Sequence, residues 1–449
     1  MTPAPDRSTS ILDRWFGISN AGSTVTGEMA AGISTFSSLA YIFVLAPSLL
    51  VGNGHGMQFR LILIATLSAL ATIAGGLWAR LPMVFAPGVE MLVYISLVVL
   101  PGSGLSWDEA MMSVVLSGAV MLLLLQLRFL HRLLDVVPRH LPNAIAIGMA
   151  TLLVMQGCEI VGVANYNGGR FHLMHPVDNR WVWGVIGCVL VIALDFFNIP
   201  MPTLIAVLVV AILTRSNSPQ AASVHFRHGI AGSVIELFHH PFSVDHMIVI
   251  AGASFCLLVM AILGSMSKVI NLWDGRDLLS GEVENKRKDH VRKQRLMTIE
   301  GCMALLSGFC GITNVTLFVE SGAGIRRGGR TGLTAVMTGL IMITAAIVLL
   351  PFIQYISLVS IVGALLYVSI LFIPKPKLLK RLYMSEWVVV ALMVAIIVVW
   401  MSLFWALVVA IVGFSFLKYR RTKGPGEADT TTSSHAAPNS DAVSTATPS

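Results

Sequence analysis

Apolar residues in this chain fall in long runs separated by short polar or charged connections, without the sustained 3.6- or 2-residue alternation of half-buried elements. The runs cover roughly 28–52, 60–79, 82–100, 109–127, 141–162, 181–197 and 199–214, which makes seven. A polar, histidine-containing connection follows at 215–245. Seven more runs then lie at about 246–270, 298–312, 314–325, 329–350, 352–373, 386–401 and 402–417. A helix needs about 20 residues to cross a hydrocarbon core. The shorter runs therefore predict half-helices, extended segments or tilted pairs, which survive only when buried in protein or lining a cavity. The expected fold is an all-α polytopic membrane protein with 14 transmembrane segments in a 7+7 inverted repeat. Its repeats are 28–214 and 246–417, with short strand and half-helix breaks in spans 3 and 10.

Composition supports this. Of 449 residues, 12% are charged and 55% apolar, and the mean hydropathy is +0.80. Such a chain cannot hide its apolar surface in water, so soluble enzymes, nucleic-acid binders and disordered scaffolds are excluded and the bilayer is the expected solvent. Cys158, Cys188, Cys256, Cys302 and Cys310 are odd in number and lie in apolar stretches, as small core hydrophobes do. Residues 1–27 are polar and lack a signal-peptide core, so the first span is expected to stay uncleaved.

The net charge of +7 marks sidedness. With a cytoplasmic amino terminus and fourteen spans, only Arg60, Arg170, Arg180, Arg215 and Arg227 of the 30 basic residues fall on the outer face. Both termini are then cytoplasmic, in a plasma (inner) membrane protein. The segment 271–297, with its KRKDHVRKQR run, reads as a solvated cytoplasmic loop. The tail 418–449 reads as disordered after Lys423.

Two segments place helix breakers beside an acid at bilayer depth, in matching positions of the two sets. Leu81–Tyr94, LPMVFAPGVEMLVY, is a β-like run, then Pro87 and Gly88, then a helix carrying Glu90. Gly311–Gly324, GITNVTLFVESGAG, is a β-branched run, then Glu320, Ser321 and glycines. Strand ends at mid-membrane leave N–H and C=O groups free, and a half-helix adds its positive N-terminal end. Paired breaks of this kind mark transporter sites. A polar planar solute could satisfy these groups, with a carboxylate accepting its N–H or carrying a proton.

Several residues keep a plainer reading. Glu320 could cap the half-helix beginning at Ser321, and Glu90 could pair with a span-end base or line a wet crevice. Gln156, Glu159 and Asp195 lie near span ends and are assigned no role. Lys268 reads as snorkelling. His225, His228, His239, His240 and His246 lack metal-site spacing. GIRRGGRTG at 324–332 departs from GxxxxGK[ST] and reads as a tight basic turn. No metal and no cofactor are expected.

From Ile11 to about Leu417 the sequence resembles the nucleobase/cation symporter-2 family, in particular its adenine/guanine/hypoxanthine permease branch. Val319–Leu340, VESGAGIRRGGRTGLTAVMTGL, is similar to the branch motif ESAAGxxxGGRTGLTA. Leu12–Pro47 looks like its amino-terminal helix and first span, and APGVEMLVY like its APGMGLNAY. The resemblance implies a core domain of spans 1–4 and 8–11, a gate domain of spans 5–7 and 12–14, and a homodimer. It also implies a base held between spans 3, 10 and 8: Glu320 contacts the base, with Val319 and Ser321 beside it. Gly88, Val89, Glu90 and Met91 fall on the third-span segment, and Ser265 on the eighth. Two departures stand out. AILGS, Ala261–Ser265, has Ala261 where the family's DxxGT carries an acid, and Glu90 stands where the branch has glycine. Glu90 is therefore expected to replace the missing acid, which makes Glu90 and Glu320 the coupling candidates.

The expected function is secondary transport of a purine-type nucleobase or related heterocycle, with H⁺ as the co-transported cation. Partners are the solute, the proton and the bilayer, with no nucleic acid. The alternatives are an anion carrier of the sulfate-transporter type and a non-transporting receptor. A membrane enzyme is disfavoured because the spans carry neither a nucleophile with its base nor a His/Asp/Glu cluster.

Overall fold

The computed structural model describes residues 11–50, 56–127, 140–167, 170–174, 179–197, 199–214, 244–273, 286–353, 356–373, 383–400 and 403–423. The first half runs through α1 (Ile11–Phe16), α2 (Val25–Leu39), α3 (Ile42–Leu49) and α4 (Met57–Ala74), the last extended by a π-helical turn, Gly75–Ala79. Strand β1 (Phe85–Pro87) leads into α5 (Val89–Val93), which continues through π-helical Tyr94–Val99 into α6 (Leu100–Ser103). Then come α7 (Trp107–Gln126), α8 (Leu141–Ile160), the hairpin β2 (Ala164–Asn167) and β3 (Arg170–Leu173), α9 (Arg180–Phe196) and α10 (Pro202–Leu213). The second half comprises α11 (Val244–Trp273), α12 (Lys286–Phe309), β4 (Val315–Leu317), α13 (Ser321–Arg326) and α14 (Gly332–Leu349). It ends with α15 (Leu358–Phe372), α16 (Met384–Trp400) and α17 (Leu403–Lys423).

Among the described residues seven helices are long and apolar enough to cross a membrane, and three apolar helices are shorter. The chain is a polytopic, mostly helical membrane protein. One expectation is corrected. The basic run expected as a loop within 271–297 is helical from Lys286 and continuous with the apolar part of α12, while α11 extends to Trp273. Lys, Arg, Gln and Glu are good helix formers, and no Gly or Pro interrupts 286–300, so the helix projects past its apolar portion. Residues 215–243 of the histidine-containing connection and the tail beyond Lys423 lie outside the described residues.

The packing pairs occur twice, related by exchange of the two halves. α2 packs on α14 as α11 packs on α7, and α4 packs on α14 as α12 packs on α7. Likewise α9 packs on α15 as α8 packs on α16, and α9 packs on α10 as α16 packs on α17. Strand β1 lies on α4 as β4 lies on α12. β1 and β4 pair antiparallel, Phe85 opposite Leu317, Ala86 opposite Thr316 and Pro87 opposite Val315, so the repeats are inverted.

Small residues allow the close crossings. A Cβ on Gly332 of α14 would stand 1.9 Å from the Gly76 carbonyl oxygen, and one on Gly363 of α15 would stand 2.4 Å from the Gly187 backbone. The basic turn before α14 also has a partner. The buried Glu28 carboxylate accepts from Arg330 N at 2.9 Å, Thr331 N at 3.2 Å, Thr334 N at 3.2 Å and the Thr334 hydroxyl. An anion is thereby placed at the positive N-terminus of α14. The corresponding junction in the other half, α11 on α7, is made by His246 Nδ1 and Glu109 Oε1 at 2.7 Å. His246, one of the histidines lacking metal-site spacing, thus lies in the first turn of α11 and pairs across to the first turn of α7.

Gly332→Ala is expected to lower stability by roughly 1–3 kcal/mol or more, because neither backbone at the crossing can give way. Gly102→Ala, with nothing within 4 Å of its added Cβ, should be neutral. Thermal unfolding of the two purified variants in detergent checks the contrast.

Candidate functional site

The site is built on the β1–β4 ladder. Two short strands in a protein interior must find partners for every peptide group, and neighbouring side chains supply those the ladder leaves open. Phe318 N donates to Val84 O at 3.0 Å and Gly88 N to Asn314 O at 3.1 Å, extending the pairing at both ends. The Thr72 hydroxyl of α4 accepts from Phe85 N at 3.0 Å and lies 3.2 Å from Phe85 O. Ser321 Oγ accepts from Val84 N at 3.0 Å and donates to Phe318 O at 2.7 Å, joining the start of α13 to the opposite strand. Trp107 Nε1 donates to Gly311 O at 3.1 Å and holds the approach to β4.

Both expected acids lie at the ends of this ladder. Glu320 occupies the N-cap position of α13, but its side chain makes no capping hydrogen bond, so the capping reading fails. Instead Oε1 accepts from the Tyr41 hydroxyl at 3.0 Å, across the turn that separates α2 from α3. Val319 is 54% exposed and Glu320 partly so, whereas β4 before them is buried; their edge is the open side of the site. Glu90, in the first turn of α5, accepts from Lys268 Nζ at 3.2 Å, with side-chain exposures of 7% and 11%. This corrects the snorkelling expectation: the Lys268 ammonium turns inward and also lies 5.6 Å from the centroid of the Phe318 ring. An ammonium at this depth is costly unless paired, and Glu90 neutralises it.

The other expected residues divide into two groups. Val89 and Met91 are buried around Glu90, and Gly88 is held tightly enough that a Cβ would meet Thr316 Cγ2 at 2.9 Å. Ser265 is fully buried behind the ladder, where its hydroxyl donates to Glu300 Oε1 at 2.7 Å and stands 3.2 Å from Thr316 Oγ1. It faces a carboxylate, away from the open edge. Ala261, where the resembled family has an acid, is buried and apolar.

Sequence reasoning passed over Glu300 and Tyr41. Glu300 on α12 is fully buried, takes hydrogen bonds from Ser265 and Thr316, and its Oε2 has no hydrogen-bond partner among the described residues. A span taken to begin at 298 makes Glu300 a span-end acid. With α12 starting at Lys286 it lies in mid-helix, and the signal was the absence of any helix breaker upstream. Tyr41 had no signal, because its partner is 279 positions away. Asp195, assigned no role, lies near Tyr367 of α15. The ladder thus gathers three carboxylates, Glu90, Glu300 and Glu320, and one ammonium, Lys268, which is paired with Glu90. Such an arrangement can take up protons or an N–H-bearing solute.

A sequence profile described as the sulfate permease family matches residues 33–396. The chain belongs to the sulfate permease family. Among curated relatives it is 27% identical over 366 residues to the adenine permease AdeP of Escherichia coli K12, covering 80% of each chain. It is 23% identical over 376 residues to the guanine/hypoxanthine permease GhxP of E. coli O157:H7, covering 83% of each. It is 25% identical over 351 residues to the nucleobase transporter PlAzg2 of Paenibacillus larvae, covering 77% of this chain and 68% of the relative. The fold is shared with the transmembrane domain of a cyanobacterial bicarbonate transporter, BicA, at a TM-score of 0.58 and 13% identity, covering 86% of this chain and 97% of that one. It is also shared with SLC26A9, at 0.61 and 12%, covering 96% and 75%. The resemblance read from the residues and these relatives agree.

Removing both donors to Glu300, as in Ser265→Ala/Thr316→Val, should cost about 1–3 kcal/mol because a buried carboxylate is left without hydrogen bonds. The ligand-free unfolding temperature is the readout, and an unchanged value would show that Glu300 finds other partners.

Proposed function

We propose that this protein is a secondary active transporter for a purine-type nucleobase or a related heterocycle, held at the open edge of the β1–β4 ladder. The observation that carries the reading is Glu320. It is a carboxylate at the junction of a strand and a half-helix, positioned by Tyr41 rather than spent on capping, in a chain whose curated relatives are named adenine and guanine/hypoxanthine permeases. A carboxylate there accepts the ring N–H of a base, and the first turn of α5 adds backbone N–H donors, whereas those of α13 are taken by the carbonyls of Phe318, Val319 and Glu320.

Coupling to protons follows from the charge balance, since among the described residues of the cluster three carboxylates share one ammonium. Transport by alternating access would move the group built on α2–α7 and α11–α14 against the group built on α8–α10 and α15–α17. Orientation with both termini cytoplasmic in an inner membrane, and assembly as a homodimer, belong to the same proposal. The anion-carrier reading draws on the Lys268 ammonium and on the bicarbonate transporter fold. The surplus of carboxylates opposes it, because a bare anion brings no N–H to offer them.

The test is thermal stabilisation of the purified protein by purines, pyrimidines and inorganic anions, followed by uptake into liposomes. A ligand at 100 times its Kd stabilises by about 2.7 kcal/mol through linkage. A purine should raise the melting temperature of the wild type and have no effect on Glu320→Gln. Stabilisation by inorganic anions alone would support the anion carrier, and stabilisation by a base without liposome flux would support a receptor.

A further inference from the structure

Lys268 does more than neutralise Glu90. A buried ion pair that served only to join two helices would be replaced by apolar packing at little cost. This pair instead stands beside the open edge, between the residue that follows β4 and the first turn of α5. The ammonium has three donors, and among the described residues one of them is used, on Glu90. The Phe318 ring lies to one side at 5.6 Å and takes positive charge without consuming a donor geometrically. The site therefore presents an obligate donor, Lys268, from span 8 and, when Glu320 is ionised, an acceptor from span 10.

That polarity selects among heterocycles. An exocyclic amino group can only donate, so opposite Lys268 it meets a like group. A ring carbonyl oxygen or a ring-nitrogen anion accepts at that edge, and an anionic acceptor adds the attraction of opposite charges that the neutral ring nitrogens of adenine lack. The solute must still carry an N–H for Glu320, which excludes simple anions. We infer that Lys268 is the specificity-determining residue of the site, holding the electronegative edge of an acidic oxo-heterocycle of the xanthine or urate type while Glu320 takes its N–H. Glu90 positions the ammonium and is not itself a base contact, contrary to its expected role as a replacement acid. This inference rests on the nucleobase reading.

The experiment titrates xanthine, urate, hypoxanthine and adenine against purified full-length wild type, Lys268→Met, Lys268→Arg and the neutral double variant Glu90→Gln/Lys268→Met, reading apparent Kd from thermal stabilisation. The double variant guards against misfolding caused by an unpaired buried Glu90. Wild type and Lys268→Arg should bind xanthine or urate at least about tenfold more tightly than adenine, and both methionine variants should bind all four within about twofold of one another. Equal or tighter adenine binding by the wild type, or an undiminished preference in the double variant, overturns the role of Lys268 while leaving the nucleobase reading intact. Failure of the wild type to bind any base removes both.

Discussion

Everything at the centre of this protein depends on how two interruptions of the helical backbone satisfy their peptide groups where no water can. Neither Phe85–Pro87 nor Val315–Leu317 could exist alone at that depth. Paired, each supplies the other's partners, and Thr72, Ser321 and Trp107 take up the groups left over. The ladder is short because each strand gives way at once to a helix, and the helices carry Glu90 and Glu320 to its two ends. Close crossings such as Gly332 on Gly76 lock α4 against α14, while the strands themselves lie on α4 and α12.

The inverted repeat explains why the acids flank one ladder. Exchanging the halves maps α2 onto α11, α4 onto α12 and α7 onto α14, so the structural junctions occur twice on opposite sides of the ladder. The chemistry has diverged at these equivalent junctions. One is a carboxylate, Glu28, on the N-terminus of α14; the other is a side-chain pair, His246 with Glu109. Close to the ladder the two halves also differ in the polar groups they contribute. α11 contributes the ammonium of Lys268, α12 the enclosed carboxylate of Glu300, and α3's preceding turn the hydroxyl of Tyr41. One charge is thus compensated, one is enclosed behind the strand and one faces the gap.

Much of this was legible in the sequence. Runs of apolar residues show where the chain sits in lipid, and Pro87–Gly88 and Ser321–Gly322 show where helix gives way, because transfer energy and backbone propensity are local properties. The same locality misled at the basic run. KRKDHVRKQR is charged enough to leave the bilayer yet composed of helix formers, and hydropathy alone reads the exit from lipid as the end of the helix. That misplaced start hid Glu300 as a span-end residue.

Partner choice is a different kind of information. Lys268 and Glu90 are 178 positions apart, and Tyr41 and Glu320 are 279 apart. Nothing in the neighbourhood of either residue along the chain distinguishes a lysine that snorkels from one that turns inward. The sequence by itself determined the membrane class, the two broken segments and the acids they carry, because each follows from the solvent and the torsional preferences of a few adjacent residues. The tertiary structure alone decided that Glu90 is matched by Lys268, that Ser265 serves Glu300 and that Glu320 is left facing the gap. Those outcomes depend on which helices the inverted repeat brings within hydrogen-bonding distance in a medium where an unpaired charge is too costly to keep.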